Sequence, residues 1–289
     1  MAETLAFIGM GRVGSALAVL LERAGFSVAA VCDRNQEKLD RAAKELTGSP
    51  LCTTDPTAAA AAAQVVFLTT QDRFIETVCC QLAAAGAIRA SQLFAHASGS
   101  LTAIVLHSAA AEGAKTFSLH PLQSIADPAA AIRVLPGSYY CFEGDDGAYS
   151  LAVRLVAALD GHLLRIAAAD KPLYHAAAVV ASNFFIALEY LAISMMEQVG
   201  ADPQSAREML LPLIRGSLEN LAQSGPVEAL TGPIVRGDNE TIAGHLRALE
   251  EKMPHYVGIY KGMARLNVEL AGKKSGVTLD DFSGTLADG

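Results

Sequence analysis

Short apolar runs alternate with longer amphipathic stretches up to about residue 167, and beyond that point the pattern is helical to the end. The runs at 5–9, 27–32, 65–69, 92–96 and 115–119 read as strands, because they are short, almost continuously apolar and bounded by polar or turn residues. The segments between them carry helical spacing. The alanine run 58–63 follows Pro56, and proline suits the first turn of a helix, so the run reads as a short helix. Two further runs, 139–143 and 162–166, flank a helix from about 147 to 159 and are assigned to the same sheet. The turn Gly144-Asp145-Asp146-Gly147 precedes that helix. This alternation predicts an α/β fold built on a doubly wound parallel sheet.

No strand pattern follows. Helices are expected at about 171–199, 205–223, 239–253 and 255–271, the first ended by Gly200-Ala201-Asp202-Pro203. The boundary is placed near 168, giving a sheet domain over 1–168 and an all-α domain over 169–289. The tail beyond Gly272 is polar and contains glycine, and is expected to lie loosely over a partner. Residues 176–196 are nearly all apolar and long enough to cross a membrane. Asn183 and Glu189 interrupt the run and charged residues follow it, so it is read as a helix buried where two copies of the chain meet. The helical domain is thus expected to make a homodimer, with no membrane span.

Composition narrows the class. The 289 residues are 52% hydrophobic and 18% charged, with no tryptophan and a net charge of −8. A chain this acidic, without basic runs, is not expected to bind nucleic acid or anionic membrane generally. Cys32, Cys52, Cys79, Cys80 and Cys141 show no metal-ligand spacing, so no metal site is expected. Reduced thiols and a cytoplasmic location are expected instead. The first strand begins almost at once, leaving no room for a signal peptide.

The first strand runs into Gly9-Met10-Gly11-Arg12-Val13-Gly14, a G-x-G-x-x-G turn that opens a helix. In such a turn the first glycine makes the bend, the second lets a pyrophosphate approach the backbone, and the third lets helix pack on strand. The helix then offers unpaired N–H groups to the phosphates. The second strand ends at Asp33, where a carboxylate meets an adenosine ribose. Asp33 favours NAD, whereas Arg34 and Lys38 just beyond favour the extra phosphate of NADP; the cofactor is left as NADP or NAD.

Ligands of an open α/β sheet lie beyond the carboxyl ends of its strands. That rule selects Thr69, Thr70 and Gln71 as cofactor-lining residues, with Asp72 either joining them or capping the next helix. It also selects His96-Ala97-Ser98-Gly99-Ser100 and His120-Pro121-Leu122-Gln123-Ser124. His96 and His120 can exchange a proton near neutral pH, or serve only as hydrogen-bonding partners of their loops. Ser98 and Ser100 can orient a substrate or hold the nicotinamide, and Gln123 is a substrate-binding candidate.

In the helical domain Lys171 and His175 lie one turn apart, and Asn183 about two turns further on nearly the same face. Polar groups on an apolar helix are costly if buried idly, so the three are catalytic candidates. Alternatively Lys171 is solvated and His175 packed. Arg236, in Leu230-Thr231-Gly232-Pro233-Ile234-Val235-Arg236-Gly237-Asp238, can clamp a substrate carboxylate or phosphate, or make a structural salt bridge. Asp238 or Asn239 is expected to cap the following helix.

Taken together, the glycine turn, His96–Ser100, Ser118–Gln123, Tyr174-His175-Ala176-Ala177 with Ser182-Asn183, and the 230–238 segment resemble the bacterial Rossmann-like family that carries a DUF2520 domain. Its members are labelled NADP- or F420-dependent oxidoreductases. The resemblance covers nearly the whole chain. It implies a 6-phosphogluconate-dehydrogenase-like arrangement, with a nucleotide domain followed by a helical dimerisation domain, and names no substrate. The His120-Pro121 pair is also similar to prephenate dehydrogenases, which implies catalytic roles for His120 and Ser98. The Lys171…Asn183 spacing is wider than the lysine–asparagine pattern of β-hydroxyacid dehydrogenases, and pyrroline-5-carboxylate reductases share the layout without these motifs. The expected activity is hydride transfer to or from a small carbonyl, imino or hydroxy-acid substrate in the cleft between the domains, with His120 as acid or base. The alternative is a dinucleotide-binding sensor or scaffold without chemistry.

Overall fold

The computed structural model describes residues 3–286. Its centre is one eight-stranded sheet, ordered β3-β2-β1-β4-β5-β6-β7-β8. The first half comprises β1 (Thr4–Ile8), α1 (Arg12–Arg23), β2 (Ser27–Cys32), α2 (Gln36–Glu45), β3 (Leu51–Thr53), α3 (Pro56–Ala61), β4 (Val65–Leu68) and α4 (Asp72–Ala84). It continues through β5 (Leu93–His96), α5 (His107–Ala111), β6 (Lys115–Pro121), α6 (Pro128–Val134), β7 (Tyr139–Gly144), α7 (Asp146–Ala157) and β8 (His162–Arg165). Strands β1, β4 and β5 are apolar on both faces because helices cover both. Leu5, Phe7, Val65 and Phe67 pack on one side, and Ala6, Ile8, Val66 and Leu68 on the other.

The doubly wound sheet is as the alternation predicts, with two differences. β3 is an unpredicted edge strand; three residues beginning at exposed Leu51 are too few to show periodicity. β7 runs antiparallel to β6, and β8 returns parallel to β7. Pairing with β7 also lengthens β6 to Pro121, so His120 lies inside the strand opposite Cys141. The β6–β7 connection therefore starts at the same sheet end as the glycine turn, and Arg12 donates to the Ile125 carbonyl there at 3.3 Å.

Beyond β8 come α8 (Lys171–Val179), a π turn (Val180–Phe184), α9 (Phe185–Glu197), α10 (Pro203–Ala229), α11 (Asn239–Lys252), α12 (Val257–Ser275) and α13 (Ser283–Leu286). Gly225, at φ +75°, breaks α10 near its end. The chain divides into two compact units, Met1–Phe185 and Ile186–Gly289, so α8 and the π turn group with the sheet. In the second unit Ile242, Leu246, Ala264 and Val268 form a core that also takes in Phe282 and Leu286. The tail thus folds onto its own unit instead of lying loose. Its two apolar anchors and a Thr278/Asp281 capping box account for that.

The segment 168–197 is the one described helical stretch long and apolar enough to cross a membrane, and little of it is covered within this chain. Leu173, Phe184, Ile186 and Tyr190 are exposed. Lys171, the first residue of α8, is instead fully buried against the sheet.

Candidate active site

The glycine turn is held by sterics. Gly9 has φ +108°, and a Cβ there would stand 2.6 Å from the Thr70 nitrogen. A Cβ on Gly14 would collide with the Gly9 carbonyl and the Thr69 hydroxyl. Thr69 itself donates to that carbonyl at 2.8 Å, which ties the ends of β1 and β4 together. Gly11 differs: a Cβ on it would meet nothing within 4 Å, so its backbone faces open space. Gly11 is the N-cap of α1, which has no side-chain cap and no acidic residue in its first turn. Its N–H groups are left for an anion, and the arrangement fits a dinucleotide pyrophosphate.

Asp33 curls back on this turn. One carboxylate oxygen accepts from the Met10 N–H at 2.8 Å and from Lys38 at 3.0 Å; the other accepts from the Asn35 N–H at 2.9 Å. Burial works to raise its pKa, but these three donors outweigh burial and hold it below the usual carboxylate range. Beyond Asp33, the Arg34 and Arg73 guanidinium groups stand 5.5 and 4.7 Å from the centre of the Phe74 ring. Thr70 and Gln71 sit at the start of α4. Gln71, not Asp72, is its N-cap residue, and neither caps it with a side chain.

Asp72 faces the next strand end. It accepts from the hydroxyls of Ser98 at 2.6 Å and Ser100 at 3.0 Å. Ser98 Oγ also accepts from the N–H groups of Ser100 and Leu101, so its hydrogen-bonding capacity is spent on shaping the loop. His96, fully buried, accepts the Ser98 N–H at Nδ1 and therefore donates from Nε2 to the Thr102 carbonyl at 3.1 Å. Both of its ring nitrogens serve the loop, the second of the two roles open to it.

His120, His175, Tyr174 and Lys171 meet beside this loop. The Tyr174 hydroxyl lies 2.9 Å from His120 Nδ1, and the His120 and His175 ring centres are 6.3 Å apart. Gly99 makes room for both rings. A Cβ there would be 2.7 Å from His175 Cδ2 and 2.8 Å from His120 Nε2. Burial, and then the Lys171 ammonium, push the pKa values of His96 and His120 down to about 4. Both are thus neutral at pH 7 and do not titrate there as free imidazoles would, a departure from the sequence expectation.

Lys171 is buried because it has partners. Its ammonium donates to Ser118 Oγ and lies 3.8 Å from Glu143 Oε2. Ser118 donates onward to the Ser98 carbonyl at 3.2 Å, and Glu143 accepts the Ala103 N–H at 2.7 Å. Burial lowers the Lys171 pKa, with Glu143 acting against that. One ammonium thus links α8 to β6 and β7, and leaves a positive charge behind the two histidines.

Other candidates lie elsewhere. Asn183 is exposed in the π turn, where its Oδ1 accepts from Ser182 at 3.0 Å. A π turn departs from 3.6 residues per turn, so Asn183 loses the phase that would align it with His175. Gln123 donates to Ser138 at 3.3 Å and accepts the Ser124 N–H, bracing the β6–β7 connection. Arg236 belongs to the second unit, on a short 3-10 turn; Asp238 caps α11 through the Thr241 N–H, as expected. Ser118, Glu143 and Tyr174 are site residues that sequence reasoning did not select. Glu143 left a signal, a carboxylate ending the apolar run Tyr139–Phe142, which requires a buried partner. A cavity of about 790 Å³, lined by Thr116, Glu143, Asp145 and Arg165, opens at the opposite end of β6 and touches this cluster only through Glu143.

Residues 3–121 match the Rossmann-like domain family, and residues 138–266 match DUF2520, a domain of unknown function. These two matches are to the domain pair its motifs resemble. No curated protein sequence matches it. Among solved structures, TM1727 from Thermotoga maritima is 24% identical with a TM-score of 0.75, covering 93% of this chain and 99% of that one. BF3122, an NADP oxidoreductase-like protein from Bacteroides fragilis, is 21% identical with a TM-score of 0.69, covering 93% and 98%. An imine reductase from Myxococcus stipitatus, solved with NADP+, is 17% identical with a TM-score of 0.63, covering 98% and 99%. These likenesses establish a shared fold.

Proposed function

We propose that this chain is a cytoplasmic NAD(P)-dependent oxidoreductase that acts on a small carbonyl, imino or hydroxy-acid substrate. The observation that carries the reading is the pairing, along one sheet end, of an open glycine turn with a half-buried histidine cluster. Neighbours of this fold bind NADP+ or NAD+, which supports either cofactor. When bound, the nicotinamide supplies a hydride to a C=O or C=N carbon, and one proton completes the alcohol or amine; the reverse reaction returns both.

Gly11 and the first N–H groups of α1 hold the pyrophosphate, with Asp33, Arg34 and Lys38 at the adenosine ribose. Thr69, Thr70 and Gln71 line the path toward the nicotinamide. His120 hydrogen-bonds the reacting oxygen or nitrogen, with His175 beside it. Lys171 acts from behind through its charge, which favours negative charge developing on that atom. Ser98, Ser100 and His96 keep the loop in place. Asn183, Gln123 and Arg236 remain candidates for substrate contact. Two copies pair through the exposed apolar surface of the helical domain, where Ile186, Tyr190 and Leu213 are uncovered.

The test is a titration of the protein into NADPH and into NADH, followed by nicotinamide fluorescence, which no tryptophan obscures. Saturable micromolar binding of at least one form, abolished in Gly14→Val, is expected. Binding of neither form to the folded protein overturns the reading. Binding without turnover of any keto, imino or hydroxy acid leaves a sensor.

A further inference from the structure

His120 is the one imidazole in the cluster whose δ nitrogen meets a hydroxyl instead of backbone. Its neighbour Tyr174 comes from the first turn of α8, anchored by buried Lys171 just three residues earlier. The same hydroxyl interacts with the Cys141 thiol, and Cys141 is paired directly opposite His120 across β6 and β7. The Tyr174 hydroxyl thus stands between the His120 ring, which it hydrogen-bonds, and the Cys141 thiol.

The inventory of donors fixes their direction. A tyrosine hydroxyl has one proton to give, and an imidazole nitrogen is a much better acceptor than a thiol sulfur. Burial pushes the Tyr174 and Cys141 pKa values up, so both keep their protons at neutral pH. The single Tyr174 O–H is therefore assigned to the better acceptor, His120 Nδ1. A neutral imidazole that accepts at Nδ1 carries its proton at Nε2. The Nε2–Cε1 edge faces Gly99, where a side chain would come within 2.8 Å. At His96 the backbone sets the tautomer and uses both nitrogens; at His120 one side chain sets it, and Nε2 has no hydrogen-bond partner among the described residues.

We infer that Tyr174 is a positioning residue that holds His120 as the neutral Nε2–H tautomer, so that His120 meets the substrate oxygen or nitrogen as a hydrogen-bond donor. The inference rests on the reading of this cluster as the reacting end of the site. A neutral donor backed by an ammonium charge stabilises an oxyanion without itself giving up a proton, so the product proton comes from elsewhere. The charged and titratable groups around His120 are Lys171, His175, His96 and Asp72, with Tyr174 at its δ nitrogen and Cys141 beside Tyr174. Asp72 is the one group among them that favours the imidazolium.

Nitrogen-15 spectra of the labelled full-length protein at neutral pH, which correlate ring nitrogens with ring protons, read the tautomer directly. His120→Gln assigns the signals. A protonated Nε2 and a bare Nδ1 at His120 are expected in the wild type, giving way to a mixture or to the other tautomer in Tyr174→Phe. Cys141→Ala leaves the wild-type pattern in place. His96, locked by backbone on both sides, keeps its signals in every variant and reports an intact loop. A protonated Nδ1 in the wild type overturns the inference, as does a Tyr174→Phe spectrum unchanged at His120 or a tautomer that switches in Cys141→Ala. Titration of the same samples with NADPH and with NADH separates the two claims: binding of neither form by the wild type defeats the oxidoreductase reading, and the tautomer is read whether or not cofactor binds.

Discussion

At the glycine turn the chain offers backbone, whereas at the ends of β5 and β6 it offers side chains. The turn works because atoms are missing: Gly9 and Gly14 allow contacts that any Cβ would block, and Gly11 leaves its approach open. Its charges are local, since Asp33 and Lys38 lie five residues apart and Lys38 is substantially exposed. The histidine end is built from residues far apart in sequence. Lys171 reaches Glu143 and Ser118, Asp72 reaches Ser98, and Tyr174 reaches His120. A surface ion pair such as Asp33–Lys38 contributes little to stability, whereas breaking a buried pair leaves a charge without solvent. The two regions should therefore respond very differently to perturbation.

The largest difference is expected from Lys171→Met. It leaves the Glu143 carboxylate buried and unpaired, and is expected to cost about 3–5 kcal/mol. Urea unfolding measures it, and adding Glu143→Gln should restore most of the loss. A Lys38→Met protein, by contrast, should unfold close to wild type. Equal effects at the two sites would erase the distinction.

Acid should also act on the histidine end first. His96 and His120 have folded pKa values of about 4, depressed from 6.5. Over that window the unfolded chain binds protons that the folded chain refuses, so their contribution is complete above pH 6.5 and declines as pH falls toward about 4. Asp33 is depressed from 3.8, so its contribution is lost only at lower pH. Urea midpoints measured through the upper window should fall with acid, and less steeply in His96→Gln. A flat profile there would mean that the histidines are solvated.

The smallest effect sharpens the other end. Arg34→Ala is expected to weaken NADPH about tenfold, the worth of one charge-assisted hydrogen bond, and to leave NADH nearly unchanged. Equal weakening of both would show that Arg34 does not meet the 2′-phosphate and contributes only through its position beside Phe74.

The same contrast explains what could be read in advance. The glycine turn, Asp33 and the alternation of strands were legible because each depends on neighbours within about thirty residues, so spacing alone carries the information. The edge strand β3 was too short to register, and the antiparallel β7 had no local mark. Asn183 was aligned with His175 on a regular helix, and the π turn at Val180–Phe184 removed the alignment. Ser98 and His96 stand at strand ends, as spacing predicts, but their bonds to Asp72, Leu101 and Thr102 assign them to loop architecture.

By itself the sequence determined the strand–helix order, the nucleotide turn and which residue types would gather beyond the strand ends, since periodicity, glycine sterics and the direction of parallel strands are local or topological. Only the tertiary structure decided which of those residues face one another. It buried Lys171 against Glu143, set Tyr174 on His120 and turned both histidines neutral. Burial and the field of a distant charge set a side chain's proton, and neither can be computed from its position in the chain.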